Sequence, residues 1–509
     1  MVLREKKIKG GMKDMSEKKL PRVTPEEVGV ESAAIGKMLD GFEEKGVGVH
    51  GLMLMRHNKV FAEGWYAPYR PDLTHMLFSL SKSFTSTAIG FAVQEGLLTI
   101  EDRVVDFFPE KLPFRPCENM EKMKVKHLLT MNTGHSAEPE NMLGEPGKDW
   151  VKIFLESYVD HEPGTLFCYN TCGTYMLSAI LTRVTGLTVD EYLKPRLFEP
   201  LGIEGWRFEK CPSGNATGGY GLNVHLEDIA KFGSFYLNRG MWEGKQLLNP
   251  EWIDAATSKQ TDSVGEVPDW VQGYGYQFWR CQPEGSYRGD GAFGQYCIVL
   301  PEQDMVIAMN EGTGWLQDPL DVLWETLLPA LHDGSLPENP EGNAEIQARL
   351  AKLTLPPAEG EKTSPDAAKY SGMTYTLSPN PIGLSSVRFD LDVGNPAFTM
   401  TLRDMPPFAV NIGQRSCTLP LGFGEFKEGK GCFAADECGS FTFFYEQCAA
   451  SMAWRDTDTL VMRLAWNTTP FVDDVTVSFD GQGIVVDWSR NYTMSPVKSI
   501  RIFGRRDVV

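Results

Sequence analysis

The chain has 509 residues, room for roughly two to four domains, and a largely disordered chain is therefore not expected. It carries 49 Lys and Arg against 68 Asp and Glu, and the formal charge of −19 argues against binding to nucleic-acid phosphate or to an anionic lipid surface. The apolar runs are much shorter than the roughly 20 residues of a membrane-spanning helix. We therefore predict neither a nucleic-acid partner nor a membrane partner.

Residues 1–22 form a leader rich in Lys and Glu that lacks the apolar core of a secretory signal. This composition predicts a cytoplasmic protein. In a reducing compartment the ten cysteines are expected to be free thiols. No His and Cys residues have the spacing of a metal site, and we expect neither a metal nor another cofactor.

After the leader, short strands come first, then helices, then strands again. Strand-like runs at 50–56 and 60–65 flank a turn and predict a hairpin. Apolar residues that recur at helical intervals predict a helix over residues 79–96. Further elements are helices at 125–131, 174–185, 227–238 and 320–331, and strands at 274–279, 294–300 and 305–310. This order predicts one α+β domain whose antiparallel sheet joins both ends of the segment.

The composition changes again near residue 351. Residues 351–369 are polar and rich in Pro, as in a linker. Beyond them apolar and polar residues alternate, as at Val475, Val477 and Phe479, and this period predicts strands of an antiparallel β sandwich or barrel. The predicted organisation is a leader (1–22), an α+β domain (23–350), a linker (351–369) and a C-terminal β domain (370–509).

The helix predicted at 79–96 begins with an S-x-x-K motif, Ser79-Leu80-Ser81-Lys82. Residues three apart lie about one turn apart on the same helix face, and the hydroxyl and the ammonium group can therefore share a proton. A Ser hydroxyl becomes a good nucleophile when a base takes its proton, and Lys can be that base. The alternative is a helix cap beside a solvated Lys, because the same spacing recurs from Ser16 and from Ser495.

With this motif the chain resembles the serine β-lactamase and penicillin-binding protein superfamily, especially its class C-like and esterase-like branch. The resemblance covers about residues 24–331. Besides the S-x-x-K helix it rests on Trp65-Tyr66-Ala67-Pro68-Tyr69-Arg70, Leu97-Leu98-Thr99-Ile100-Glu101-Asp102, His127-Leu128-Leu129-Thr130-Met131, Pro163-Gly164-Thr165, Leu197-Phe198-Glu199-Pro200-Leu201-Gly202-Ile203 and Gly218-Gly219-Tyr220-Gly221. It implies a β-lactamase/transpeptidase-like fold, and the C-terminal part resembles the accessory β domain of some bacterial members.

The family's second motif, Tyr-x-Asn, corresponds to Tyr169-Asn170-Thr171. The resemblance implies that Tyr169 relays protons between the nucleophile, the leaving group and Lys82. The third position holds Thr171 instead of Asn, and Asn170 is adjacent, so either side chain is a candidate to support Lys82 or to contact the substrate. Tyr220 is a further candidate for support.

The family's third motif, Lys-Thr-Gly or His-x-Gly, corresponds to Gly289-Asp290-Gly291-Ala292. The resemblance implies that Gly291 lets the substrate approach closely. It also implies that the N–H groups of Ala292 and Ser79 form an oxyanion hole.

Gly289 and Asp290 stand where the family has a cation. A substrate carboxylate is therefore disfavoured at this position, although Arg288 offers partial compensation, and neutral or cationic acyl compounds fit better. The same stretch also satisfies G-x-G-x-x-G, but a strand pattern follows it instead of a helix, which argues against a dinucleotide site. Six aromatic residues near the motifs are candidates to line an apolar pocket: Trp65, Tyr69, Tyr220, Trp270, Tyr274 and Trp279.

Together the motifs predict a serine hydrolase for a small ester or amide. Ser79, deprotonated by Lys82 with help from Tyr169, attacks the carbonyl, and water releases the acyl-enzyme. Two alternatives stay open: a β-lactamase or D-Ala-D-Ala carboxypeptidase, and a non-catalytic ligand-binding protein of the same fold. The intact Ser, Lys and Tyr argue against the second. Self-association as a homo-oligomer is also left open.

Overall fold

A computed structural model of the chain describes residues 19–139, 142, 148–391, 394–403, 409–410, 415–437, 440–493 and 499–507. Most of the predicted leader lies outside these residues. Within the described ranges, no helix combines the length and the apolar character needed to cross a bilayer.

The chain folds into an α+β segment followed by an all-β segment. The α-helices are α1 (Ser32–Glu44), α2 (Ser81–Gln94), α3 (Glu118–Lys122), α4 (Val125–Leu129), α5 (Trp150–Glu156), α6 (Thr171–Thr185), α7 (Val189–Leu193), α8 (Glu199–Leu201), α9 (Leu226–Leu237), α10 (Pro250–Thr257), α11 (Gln317–Thr326), α12 (Pro340–Leu350) and α13 (Ala367–Tyr370). The strands are β1 (Val49–Arg56), β2 (Lys59–Trp65), β3 (His75–Met76), β4 (Arg207–Phe208), β5 (Leu222–Val224), β6 (Met241–Trp242), β7 (Lys245–Gln246), β8 (Trp279–Arg280), β9 (Tyr287–Gly291), β10 (Gln295–Leu300), β11 (Met305–Glu311), β12 (Met373–Leu377), β13 (Leu384–Asp390), β14 (Ala397–Leu402), β15 (Ala409–Val410), β16 (Ser416–Pro420), β17 (Lys427–Glu437), β18 (Ser440–Trp454), β19 (Thr459–Ala465), β20 (Val472–Phe479), β21 (Gly483–Arg490) and β22 (Ser499–Arg506).

A six-stranded antiparallel sheet gathers both ends of the α+β segment, as the sequence predicts. Its strand order is β2-β1-β11-β10-β9-β8. Alternate residues of β1 enter two hydrophobic clusters, Met53 and Met55 on one face and Leu52 and Leu54 on the other. Because both faces of β1 are covered, residues 52–55 of this strand are all apolar.

Most of the helices and strands predicted in this segment are confirmed, and one is wrong. The expected strand at 274–279 is not regular, because Tyr274 forms only isolated bridges to Thr261 and Trp279. Gly273 and Gln277 have φ of +110° and +66°, which interrupts an extended chain. Helices α1, α3, α5, α7, α8, α10 and α12, the short strands β3–β7 and strand β9 were not predicted.

The C-terminal segment is a nearly closed ten-stranded barrel, which decides between the predicted sandwich and barrel. Its ten antiparallel strands have the order β17-β18-β19-β20-β21-β22-β12-β13-β14-β16, and the two-residue strand β15 pairs parallel to β18. Val475, Val477 and Phe479 of β20 are buried at alternate positions, which is the observed counterpart of the period of two in the sequence.

The predicted linker, residues 351–369, runs along both segments. Thr354 bridges to Ala67 beside β2, and Glu361 bridges to Trp454 at the end of β18. Helix α13 begins inside this range, at Ala367. The exact domain bounds stay a prediction.

Glu311 ends β11 with a buried carboxyl group. Among the described residues no hydrogen bond of ordinary geometry reaches either of its carboxyl oxygens. Burial raises the pKa of Glu311 well above its usual value, and the hydroxyl of Thr313 opposes this shift only in part. The carboxyl group is therefore neutral in the folded protein at pH values at which the unfolded chain ionises it.

This difference makes stability depend on pH. Unfolding releases a proton from Glu311 between its usual pKa and the raised pKa, and the free energy of unfolding should therefore fall by about 1.4 kcal/mol per pH unit as the pH rises. We expect Glu311→Gln to remove this contribution when urea unfolding is followed from acidic to alkaline pH. The exposed Glu302→Gln variant is the control and should keep the wild-type slope. An unchanged slope in Glu311→Gln would contradict the prediction.

Candidate functional site

Ser79 lies where the chain turns sharply into a helix. A short 3-10 turn, Phe78–Leu80, contains Ser79 and continues directly into α2. Phe78, just before it, has φ of +48°, a left-handed conformation that is unfavourable for a bulky side chain. Contacts from elsewhere in the protein must therefore stabilise the turn that presents the Ser79 hydroxyl.

Lys82 lies one turn further along and points back at Ser79. Its Nζ donates hydrogen bonds to Ser79 Oγ at 2.9 Å, to the Gly219 carbonyl oxygen at 2.8 Å and to Thr171 Oγ1 at 3.3 Å. Only 1% of the Lys82 side chain is exposed, which rules out the solvated Lys of the alternative interpretation. The fold thus pairs the hydroxyl with the amine as the motif spacing predicts.

Tyr169 completes the group of three predicted catalytic residues. The Lys82 Nζ lies 4.9 Å from the centroid of its ring, and the ring stacks on Trp279 at 5.6 Å. Burial raises the pKa of Tyr169 far above its usual value, the nearby Asp290 adds to the shift, and a hydrogen bond with Ser79 lowers it only partly. Tyr169 is therefore a neutral phenol at neutral pH and can donate a proton.

The structure separates the two candidates beside Tyr169. Thr171 reaches Lys82, whereas Asn170 caps helix α6, where its Oδ1 accepts a hydrogen bond from the Gly173 N–H at 3.0 Å. Tyr220 follows Gly219 in the loop whose carbonyl binds Lys82, and a direct role of its side chain stays a prediction.

Strand β9 brings the third motif against the Ser79 helix. A Cβ atom added at Gly289 would lie 2.5 Å from Leu80 Cδ1, and one at Gly291 would lie 2.1 Å from the Leu77 carbonyl oxygen. No side chain fits at either glycine without a shift, which gives a packing reason for the absence of a cation at Gly289. Ala292 follows directly, and its N–H group as an oxyanion donor stays a prediction.

Asp290 and Arg288 form an ion pair inside the protein. The Arg288 Nε lies 2.9 Å from Asp290 Oδ2, and the guanidinium lies 4.2 Å from the Trp270 ring. Burial raises the pKa of Asp290, although Arg288, Lys82 and a hydrogen bond from Trp279 oppose the shift. Arg288 is fully buried and pairs with Asp290, and its partial compensation for a substrate carboxylate stays a prediction.

An aromatic wall lies beside Tyr169, formed by Phe167, Trp270, Tyr274 and Trp279. Three of the six aromatic candidates belong to this wall. Of the other three, Tyr69 stacks on His50 at 3.8 Å, and Trp65 and Tyr220 pack against the main core. The sequence analysis missed Phe167, which could have been noted because it lies two residues before Tyr169 in an extended segment.

Comparisons with known proteins indicate the family of the chain. The beta-lactamase family model matches residues 37–311. A 6-aminohexanoate-dimer hydrolase of Paenarthrobacter ureafaciens is 24% identical over 312 residues, which cover 56% of this chain and 78% of the relative. Penicillin-binding protein 4 of Amycolatopsis lactamdurans is 24% identical over 300 residues, or 51% of this chain and 77% of the relative. The solved structure of EstCE1, a hydrolase with promiscuous acyltransferase activity, has a TM-score of 0.49 at 15% identity and covers 57% of this chain and 98% of its own.

Proposed function

Because this chain belongs to the beta-lactamase family, within the serine hydrolase superfamily, we propose that it cleaves an ester or amide bond through an acyl-enzyme on Ser79. The observation that carries the proposal is the buried hydrogen bond of 2.9 Å between Lys82 Nζ and Ser79 Oγ. A ligand-binding protein without catalysis would have no need of a buried amine beside a hydroxyl.

In the proposed mechanism Ser79 Oγ attacks the substrate carbonyl carbon while neutral Lys82 takes the hydroxyl proton. The N–H groups of Ser79 and Ala292 stabilise the negative oxygen of the tetrahedral intermediate. Tyr169, whose hydroxyl is hydrogen-bonded with Ser79, donates its proton to the leaving group and is reprotonated by the proton that Lys82 took from Ser79. Water then attacks the acyl-enzyme by the reverse proton path and frees Ser79.

We propose that the substrate is a neutral or cationic acyl compound. Asp290, 8% exposed, is ion-paired with Arg288, which is fully buried. A carboxylate on the substrate would therefore meet no free cation on this strand, whereas the aromatic wall offers apolar contact. Since one relative is named as a hydrolase of a 6-aminohexanoate dimer, amides belong beside esters among the substrates to be tried.

The test is labelling of the native chain with a fluorophosphonate probe, compared with Ser79→Ala. The control is Ser86→Ala on the same helix, because the buried Ser86 hydroxyl has no hydrogen-bond partner among the described residues. We expect the native chain and Ser86→Ala to be labelled and Ser79→Ala to stay unlabelled. Equal labelling of Ser79→Ala would remove Ser79 as the nucleophile.

The same three proteins can then be assayed with p-nitrophenyl esters, aminoacyl anilides and nitrocefin. Hydrolysis of the esters or anilides, lost in Ser79→Ala, supports the proposed substrate class. Efficient hydrolysis of nitrocefin, which bears a carboxylate, would instead assign a β-lactamase and contradict the argument from Asp290.

A further inference from the structure

One loop of the C-terminal barrel reaches the segment that carries Ser79. This β19–β20 turn, residues 466–471, accepts two hydrogen bonds from the other segment of the protein. The Met76 N–H donates to the Thr468 carbonyl oxygen at 2.8 Å, and the Tyr69 hydroxyl donates to the Thr469 carbonyl oxygen at 3.1 Å. Both threonines are buried, and the turn is therefore a fixed contact between the two segments.

The last residue of this turn packs on two rings that adjoin residues of the candidate site. The Phe471 ring lies 6.1 Å from Phe78 and 5.3 Å from Phe293, and the latter two lie 5.3 Å from each other, all at steep angles. All three rings are at least nine-tenths buried. Edge-to-face pairs of this kind are directional, and they fix the positions of the rings as well as filling space.

Phe78 and Phe293 have an unusual backbone conformation. Their φ angles are +48° and +65°, in the left-handed region that bulky residues avoid. Phe78 precedes Ser79 and Phe293 follows Ala292, and the two strained residues therefore adjoin the two N–H donors of the proposed oxyanion hole. Such strain persists only where surrounding contacts hold it.

We infer that Phe471 is a positioning residue, through which the C-terminal barrel holds the Ser79 turn and the Ala292 turn in the geometry that stabilises the oxyanion. The inference rests on the proposed function and gives the barrel a part in it. Phe471 does not touch the reacting atoms. It acts through Phe78 and Phe293, whose backbones place the two N–H groups.

The test compares Phe471→Ala with Phe471→Leu and with Phe398→Ala in the full chain. Phe398 is a matched control, because it is a buried ring of the same barrel that packs on Phe389 at 5.3 Å and on Trp488 at 6.4 Å. For p-nitrophenyl ester hydrolysis by folded protein, we expect Phe471→Ala to lower kcat by about 10- to 100-fold and to change KM by less than about twofold. Phe471→Leu should recover most of kcat, and Phe398→Ala should keep it.

Amide hydrogen exchange of the peptide spanning residues 76–82 gives a readout that does not need activity. We expect faster exchange in Phe471→Ala than in Phe398→Ala and an intermediate rate in Phe471→Leu. If Phe471→Ala does not fold, the comparison of Phe471→Leu with Phe398→Ala still tests the inference. Unchanged kcat and exchange in the Phe471 variants, or an equal loss in Phe398→Ala, would overturn the inference. Failure of the native chain to react with the fluorophosphonate would overturn the proposed function instead, and the exchange comparison would still test the role of Phe471.

Discussion

Replacing Lys82 with Met is expected to lower the rate of Ser79 acylation by about 10²- to 10⁴-fold, the usual contribution of a general base. Met keeps most of the length of the side chain but cannot accept the proton of the hydroxyl that Lys82 contacts at 2.9 Å. Because the lost interaction acts in the transition state, kcat and kcat/KM should fall together. Rapid-mixing measurement of p-nitrophenol release gives the acylation rate directly.

Lys231→Met provides the control for loss of a buried amine. Lys231 lies on α9, is 5% exposed and has its Nζ 3.7 Å from Asp228 Oδ1. Its removal should lower stability and leave acylation within about twofold of the native rate, because it lies outside the proposed site. Acylation of Lys82→Met at the native rate would show that another group is the base.

Replacing Tyr169 with Phe is expected to affect the two substrate types unequally. An amine leaving group needs a proton to depart, whereas p-nitrophenolate leaves without one. The raised pKa of Tyr169 keeps its phenol protonated at neutral pH, and the loss of this donor should lower kcat/KM for an anilide by about 10²-fold or more. For the p-nitrophenyl ester the loss should be clearly smaller.

The matched control is Tyr236→Phe. Its hydroxyl is buried and lies 2.7 Å from Thr87 Oγ1 on the helix that carries Lys82, but it belongs to the core. This variant should hydrolyse the anilide and the ester with the kcat/KM values of the native chain. Equal losses for anilide and ester in Tyr169→Phe would indicate that Tyr169 orients Ser79 or Lys82 and is not the proton donor.

Local patterns predicted the parts of the site that local geometry controls. The pairing of Ser79 with Lys82 follows from helical spacing, and Gly186 ends α6 in a left-handed conformation at the predicted place. The choice between Asn170 and Thr171 could not be made from the sequence, because both residues begin the same helix. Only the fold shows that one side chain caps the helix and the other faces Lys82.

Features that depend on distant residues were predicted poorly or not at all. The packing that leaves no room for a side chain at Gly289 comes from α2, some 200 positions earlier in the chain, and no pattern around Gly289 records it. The choice between sandwich and barrel was open because both show the same alternation of buried residues. The contact between Phe471 and Phe78 likewise joins two segments without a shared motif.

The central pairing of β1 with β11 sets when the protein can fold during its synthesis. Leu54 lies opposite Ile307, and neither strand has its full set of neighbours until both have left the ribosome. Until then the nascent chain exposes the apolar β1–β2 hairpin with an unpaired edge, a template for association with other chains. A chain that is truncated between these strands should therefore be prone to aggregate, whereas the six-stranded sheet can close once residue 311 has left the ribosome.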